Sequence, residues 1–225
     1  SGGLKLEEEA FDPREVLKNM MNKVGLKARQ KGLGFFCEIS SETPSLILGD
    51  AGRFRQIVAN LGENAVKFTD HGNIRITVQV ESLEESAVSL HITVADTGVG
   101  IPPDMSEKIF ERFSQADGSS TRKVGGMGLG LTMARHMVEI MGGRIWKESP
   151  LPERFRIDET FSSTVGGPGT VFHLDLPFRL PSALPEESKK ARPEDETDTS
   201  VYKPERSLKT VLSEEKETAE APISD

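Results

Sequence analysis

The sequence holds one cysteine, Cys37, one tryptophan, Trp146, and one tyrosine, Tyr202. A lone cysteine cannot close an internal disulfide, which excludes a disulfide-stapled secreted scaffold and points to a reducing, cytoplasmic setting. Positive charge is also scarce: 28 Lys and Arg stand against 36 Asp and Glu, a formal net charge of -8. That balance excludes a nucleic-acid partner held by bulk electrostatics. It does not exclude a nucleotide, whose phosphates can be met by a few local cations and backbone N–H groups. No apolar run approaches the ~20 residues needed to span a bilayer, and no signal peptide opens the chain. The start, Ser1-Gly2-Gly3, has no methionine and reads as the beginning of a fragment, so membrane anchoring of a parent protein stays open.

What the sequence does have is helix punctuation and clustered glycine. In Phe11-Asp12-Pro13-Arg14-Glu15-Val16, Asp12 reads as an N-cap, Pro13 as a first-turn residue and Glu15 as the partner of a capping box. Leu17, Met20, Met21, Val24 and Ala28 then recur at helical spacing, predicting a helix over 11–31. Short strands follow at 35–39 and 46–48. Asp50 caps a second helix through Phe54, Ile57, Val58, Leu61, Ala65 and Phe68. Residues 74–80 and 88–95 alternate apolar and polar, which predicts a hairpin around an acidic turn at 81–87. A polar, glycine-rich stretch fills 96–130, with a helical turn near 109–113. A third helix at 129–141 stops at Gly142-Gly143, and 144–147 and 170–178 supply closing strands. The expected fold is α+β: a two-layer α/β sandwich with a mixed sheet and helices on one face. From Arg179 onward the chain is rich in Glu, Lys, Pro, Ser and Thr, and a disordered acidic tail over 179–225 is expected.

Three segments carry chemistry. In Asn60-Leu61-Gly62-Glu63-Asn64-Ala65-Val66-Lys67-Phe68-Thr69, the residues Asn60, Asn64 and Lys67 sit at i, i+4 and i+7 of a helix, on one face. Two carboxamides and an ammonium suit a polyphosphate and a hydrated metal, since Mg²⁺ keeps most of its waters and needs few protein ligands. The plain alternative is a solvated polar helix face. In Asp96-Thr97-Gly98-Val99-Gly100-Ile101-Pro102, an aspartate leaves a strand into paired glycines. A simple turn explains that pattern, and so does an acceptor for an exocyclic amine, with Gly98 and Gly100 admitting a flat ring and Ile101 offering it an apolar face. In Gly125-Gly126-Met127-Gly128-Leu129-Gly130-Leu131, glycines open a helix and expose its N-terminal N–H groups to an anion. This is neither a Walker A loop nor a dinucleotide fingerprint. The preceding 114–124 segment carries Arg122 and Lys123 and has the composition of a lid, or simply of a loop.

Taken in order and spacing, these segments resemble the N box, first glycine box and second glycine box of sensor histidine kinases. Those kinases belong with gyrase, heat-shock chaperones and mismatch-repair ATPases in one superfamily with a Bergerat-type ATP-binding fold. Phe110-Glu111-Arg112-Phe113 resembles the F box, and Gly167-Pro168-Gly169-Thr170-Val171-Phe172 the third glycine box. The resemblance covers about residues 4–178, with 11–178 as the catalytic domain and 148–166 as an inserted loop. Residues 1–10 are the expected end of a dimerisation helix or linker.

The resemblance implies roles. Asn64 would coordinate Mg²⁺; Asn60 and Lys67 would contact phosphates or bound water; Phe68 would lie near adenine; Asp96 would receive the adenine amino group, with Gly98, Gly100 and Ile101 beside the ring. Gly126, Gly128, Leu129, Gly130 and Leu131 would hinge and cradle the phosphate side. Thr170 would reach the base through water, and Arg122 would meet the γ-phosphate. Asn60, Lys67 and Arg122 are the expected catalytic residues. The implied partners are a histidine-bearing dimerisation domain and a response-regulator receiver domain, in a homodimeric parent of which this fragment is a monomeric piece.

Departures from the family pattern bear on activity. Met127 stands where Thr or Ser is usual. No His-Glu/Asp-x-Arg/Lys-x-Pro phosphoacceptor box appears: His71 lies in a turn, His91 and His173 in strands, His136 on the third helix. Two other functions compete with a kinase. An ATPase-clamp relative places a glutamate at the position of Asn60 to activate water, and an amide cannot be that base; Glu63 is one residue from Asn64, which turns it about 100° away from that amide. A nucleotide-binding pseudokinase conflicts with the retention of Asp96, Asn64 and the lid glycines.

Overall fold

The computed structural model describes residues 6–106, 108–110, 130–155 and 167–181, and the backbone of 200–202. In chain order its elements are β1 (Glu9–Phe11), α1 (Pro13–Gln30), β2 (Gly34–Ile39), β3 (Ile47–Gly49), α2 (Ala51–Phe68), β4 (Asn73–Leu83), β5 (Ala87–Asp96), α3 (Gly130–Ile140), β6 (Arg144–Glu148), β7 (Thr170–Arg179) and β8 (Ser200–Tyr202). Single 3₁₀ turns occupy Pro103–Met105, Lys108–Phe110 and Glu153–Phe155.

Local chemistry sets the helix ends. The Asp12 carboxylate accepts the Arg14 N–H at 2.8 Å, and Pro13 opens α1 where an N–H would have no partner anyway. Asp50 caps α2 by accepting the Arg53 N–H at 2.9 Å, and also the Glu7 N–H at 3.3 Å. The far end of α2 is held by Lys31, just past α1, whose ammonium donates to the carbonyls of Val66 at 2.8 Å and Thr69 at 2.9 Å. A cation on the last carbonyls of a helix satisfies orphan acceptors and the negative end of its dipole.

The strands run in the order β1-β3-β7-β5-β4-β2-β8, with β6 on the outer edge of β7. Among the described residues only β2 and β4 pair in parallel; the other pairings are antiparallel, so the sheet is mixed. Period-two alternation sends Val88, Leu90, Ile92 and Val94 of β5, with Phe172, Leu174, Leu176 and Phe178 of β7, to one face. There they meet Leu17, Met20, Val24 and Ala28 of α1, Phe54, Ile57, Val58, Leu61 and Ala65 of α2, and Val138 of α3 in one core. Phe54 and Phe178 pack edge to face with centroids 5.5 Å apart. The opposite face is more polar, though it carries a small cluster of Ala95, Val171 and Leu151 with Phe155 against it, buried Phe36 beside Arg75, and Trp146 on His173. This is the expected two-layer α+β sandwich.

Several expectations need correction. Residues 9 and 10 belong to β1, not to a helix end or linker, because β3 offers an unpaired edge with which Glu9–Phe11 can align. The folded part continues past 178: Arg179 pairs with Ala87 and with Leu48, and Leu180 is buried. Inside the tail, residues 200–202 pair antiparallel with β2 at 35–37; a sheet edge recruits backbone whatever the composition around it. The hairpin strands extend to Leu83 and from Ala87, leaving a turn shorter than 81–87.

Candidate nucleotide site

The site follows from the position of α2 between two chain segments distant in sequence. Midway along α2, the Asn60 Nδ2 donates to the Gly130 carbonyl at 3.4 Å, while Gln56 holds the Asn60 Oδ1 at 2.7 Å. One turn further, the Asn64 amide lies 3.7 Å from where a side chain on Gly130 would begin. The two amides therefore face the first turn of α3. At the end of α2, the Val99 N–H donates to the Phe68 carbonyl at 3.2 Å. A Cβ on Gly98 would sit 2.3 Å from that same carbonyl, so only glycine permits this approach. The face of α2 that bears Asn60, Asn64 and Lys67 thus runs from the start of α3 to the end of β5. Phe68 is 43% exposed, and the Lys67 ammonium lies 4.9 Å from its ring centroid.

Asp96 ends β5 on the helix side of the sheet and is 6% exposed. Its carboxylate accepts the Gly98 N–H at 2.9 Å. Burial pushes its pKa up from 3.8 to about 7, against the opposing pull of the Gly98 and Thr170 backbone N–H groups. A buried carboxylate has about four lone-pair sites, so with these backbone donors it still has acceptor capacity to spare, which suits an incoming amine. Thr170 sits directly across from Asp96 in the β5–β7 register, and it too is buried. Gly100 adopts φ +71°, turning the chain so that partly buried Ile101 packs against the edge of the core. Leu131 also packs there, in the first turn of α3.

In position, a path can be traced from Gly130 and Leu131 at the α3 start, over Asn60, Asn64, Lys67 and Phe68 on α2, to Asp96, Gly98, Gly100 and Ile101 at and after the β5 end, with Thr170 across from Asp96. Arg122, Gly126, Gly128 and Leu129 lie outside the described residues, as do Met127 and the lid.

Two residues that sequence reasoning passed over support this path. Lys31 fixes the end of α2, as described above. Ser149, immediately after β6, accepts the Ile101 N–H at 2.9 Å and donates to the Gly169 carbonyl at 2.9 Å. Its partner Ile101 is 48 positions away, beyond the reach of any local pattern.

The histidines sit elsewhere. His91 and His173 stand side by side on the polar face of the sheet. His91 Nδ1 is 2.6 Å from Asp175, His173 Nε2 is 3.1 Å from Glu148, and Trp146 stacks on His173 with centroids 5.0 Å apart. Burial, and then the neighbouring His91, lower the His173 pKa from its ordinary 6.5. Trp146 is therefore rim packing, with the Arg144 guanidinium over its ring at 4.6 Å.

A helix-and-sheet sandwich with amides, a buried aspartate and a glycine-opened helix in this arrangement defines a class of nucleotide-binding domain. The sequence model of the histidine kinase-, DNA gyrase B-, and HSP90-like ATPase family matches residues 49–180, and the chain belongs to that family. Its relatives are sensor kinases of two-component signalling. The chain is 34% identical over 185 residues to the sensory/regulatory protein RpfC of Xanthomonas campestris, covering 82% of this chain and 23% of that protein. It is 39% identical over 145 residues to the signal transduction histidine-protein kinase BarA of Escherichia coli, covering 64% of this chain and 16% of BarA. Among solved structures, full-length ShkA in complex with AMPPNP aligns with TM-score 0.62 at 30% identity, over 81% of this chain and 34% of ShkA. The nucleotide-free catalytic domain of the histidine kinase ThkA aligns with TM-score 0.58 at 25% identity, over 76% of this chain and 97% of that domain. The chain spans less than a quarter of the length of RpfC and of BarA.

Proposed function

We propose that this chain binds ATP with Mg²⁺ along the α2 path and transfers the γ-phosphate to a histidine carried outside it. The observation that carries the reading is that one helix touches both ends of the path: Asn60 meets the Gly130 carbonyl, and Phe68 meets Val99 beside the buried Asp96. The neighbouring likeness to a protein solved with AMPPNP supports it.

The donor set fits magnesium. Among the described residues no group of three or more His, Cys, Asp or Glu is placed to hold a metal. The side chains at the α3 end are amides. Amide oxygen beside phosphate suits a hard cation that keeps its waters, and a soft-metal cage would need thiolates or imidazoles. When bound, the cation would neutralise charge on the transferring phosphate. Asn64 would hold it, Asn60 would orient its water, and Lys67 would offset remaining negative charge. Asp96 would accept from the adenine amino group, fixing the base so that the phosphate chain lies toward the first turn of α3. There the positive end of that helix would receive it. The incoming imidazole is itself the nucleophile, so this domain has to orient and neutralise rather than activate water.

None of the four histidines stands in the sequence setting of a phosphoacceptor box. His71 and His136 are exposed, on a turn and on α3, and His91 and His173 are engaged on the far face of the sheet. The acceptor and its dimerisation helices, and a receiver domain acting on the phosphohistidine, are accordingly partners of the chain. Titration calorimetry with a non-hydrolysable ATP analogue, with and without Mg²⁺, tests the binding step. Supplying a separate histidine-bearing dimerisation domain with radioactive ATP tests the transfer. Absence of Mg²⁺-dependent binding would sink the first, and absence of acid-labile label on that domain the second.

A further inference from the structure

We infer that Ser149 is a positioning residue for the base-binding end of the site, acting through the backbone of the two loops beside Asp96. The inference rests on the nucleotide reading above and concerns a residue that touches no nucleotide in it.

Three chain segments meet at this point: 97–101 after β5, 149–151 after β6, and 167–170 before β7. Their backbones are laced together. Gly167 N–H donates to the Thr97 carbonyl at 2.8 Å, Gly169 N–H to the Gly98 carbonyl at 2.9 Å, and Leu151 N–H to the Pro168 carbonyl at 2.8 Å. Ser149 is the side chain that closes the junction. Its Oγ accepts the Ile101 N–H at 2.9 Å, donates its proton to the Gly169 carbonyl at 2.9 Å, and lies 3.4 Å from the Thr170 hydroxyl. A hydroxyl has one proton and two lone pairs, and here all three are used.

The consequence is geometric. Asp96 and Thr170 are direct neighbours across β5 and β7, and the loop from Gly98 to Ile101 leaves from Asp96. Gly98 supplies the N–H that the Asp96 carboxylate already accepts. Removing the Ser149 hydroxyl takes an acceptor from the Ile101 N–H and a donor from the Gly169 carbonyl together, leaving the two loops with their backbone bonds alone. A hydrogen bond to a planar base tolerates little misplacement, because its strength falls steeply with distance and angle. The loss should therefore appear on the base rather than on the phosphates. Leu151, buried against Ala95 and Val171, anchors the segment so that Ser149 is held in place.

The test compares the whole chain with Ser149→Ala, Ser149→Thr and Ser149→Cys by titration with ADP and with a non-hydrolysable ATP analogue, alongside nucleotide-free melting curves. Ser149→Ala is expected to weaken both ligands by the same factor, about tenfold, and Ser149→Thr, which keeps the hydroxyl, to restore binding to within about threefold. Ser149→Cys keeps the size but makes both bonds weak, and carries the test if the alanine variant does not fold. Wild-type affinity in the alanine variant with only a lowered melting temperature overturns the inference, as does equal weakness of the threonine and alanine variants. A loss confined to the ATP analogue overturns it too. If the wild-type chain binds neither ligand, the nucleotide reading itself falls, and that result is distinct from all of these.

Discussion

Asp96→Asn should make the nucleotide-free domain more stable at neutral pH while depriving it of tight nucleotide binding. Asp96 is 6% exposed and burial raises its pKa from 3.8 to about 7. Between those two pH values the folded chain holds a proton that the unfolded chain has released. Stability from this group is therefore complete below about pH 4 and is lost as pH climbs to about 7, where the carboxylate must ionise in the interior. At 1.36 kcal/mol per pH unit the interval corresponds to about 4 kcal/mol. Asparagine has no charge to bury, and its amide oxygen can still accept the Gly98 N–H. Relative to the wild type, the variant should be equal near pH 4 and gain progressively toward pH 8. At 2–4 °C per kcal/mol the gain in melting temperature is about 8–16 °C. Scanning calorimetry of both proteins across that range reads the difference directly, cancelling the titrations they share. Binding moves the opposite way: the amide nitrogen would face the adenine amine donor to donor, costing about 30- to 150-fold in affinity. Melting curves that stay parallel at every pH would refute the electrostatic account of Asp96, and unchanged affinity would refute its role as acceptor.

Other expectations follow from the same geometry. Asn64→Asp should abolish tight Mg²⁺-dependent binding without unfolding the domain, since a negative charge joins the phosphates at the start of α3; calorimetry beside a melting curve checks it. Wild-type affinity should fall as pH drops below about 7, by up to about tenfold per unit, because the protonated Asp96 carboxyl must lose its proton to accept at full strength; a flat affinity from pH 5.5 to 8.5 would contradict this. Phe54→Ala removes a fully buried ring packed on Phe11 and Phe178 and should cost about 3–5 kcal/mol in denaturant unfolding. The chain alone should take up negligible acid-labile phosphate from radioactive ATP, since its histidines are engaged or solvent-facing on the wrong elements.

How far the sequence could be read depended on whether the determinant was local. The helices were legible because their signals are local: Asp12 with Pro13, Asp50 as a cap, and apolar stripes at helical spacing. The α2 amides were legible for the same reason, since four residues of helix place two side chains together without help from the rest of the chain. β1 was not, because three residues are too few to alternate; nor was β8, whose pairing is a property of the β2 edge. The order of strands, with β7 inserted between β3 and β5, rests on contacts between distant segments that no periodicity encodes. Ser149 fell in the same blind spot, a serine in an irregular segment until Ile101 and Gly169 are brought to it. Asp96 lies between: its type and glycine neighbours were visible, but the burial that sets its charge state depends on β7 and α2.

The same dependence separates a kinase from a hydrolase relative. A carboxylate on α2 could serve as a base toward water only if it faced the start of α3. Position 60 does face it, and holds an amide whose oxygen is already bound by Gln56 and whose nitrogen reaches Gly130. The nearest α2 carboxylate, Glu63, is turned toward α1 and pairs there with Lys27 at 2.6 Å, both of them half exposed. Swinging Glu63 into the site would need a change in the helix itself, because at about 100° per residue it points about 60° away from Asn60 and about 100° away from Asn64. An exposed ion pair of this kind contributes about 0–1 kcal/mol, so it is helix geometry rather than the Lys27 contact that keeps the carboxylate away. Replacing Asn60 by glutamate therefore places a base where none stands. If the site is built as proposed, that single change should raise acceptor-independent release of inorganic phosphate from ATP, while Lys27→Ala, which frees Glu63 without turning it, should leave release at the wild-type level. Phosphate release rising with Lys27→Ala would show that Glu63 can reach the nucleotide, and the argument from helix phase would fail.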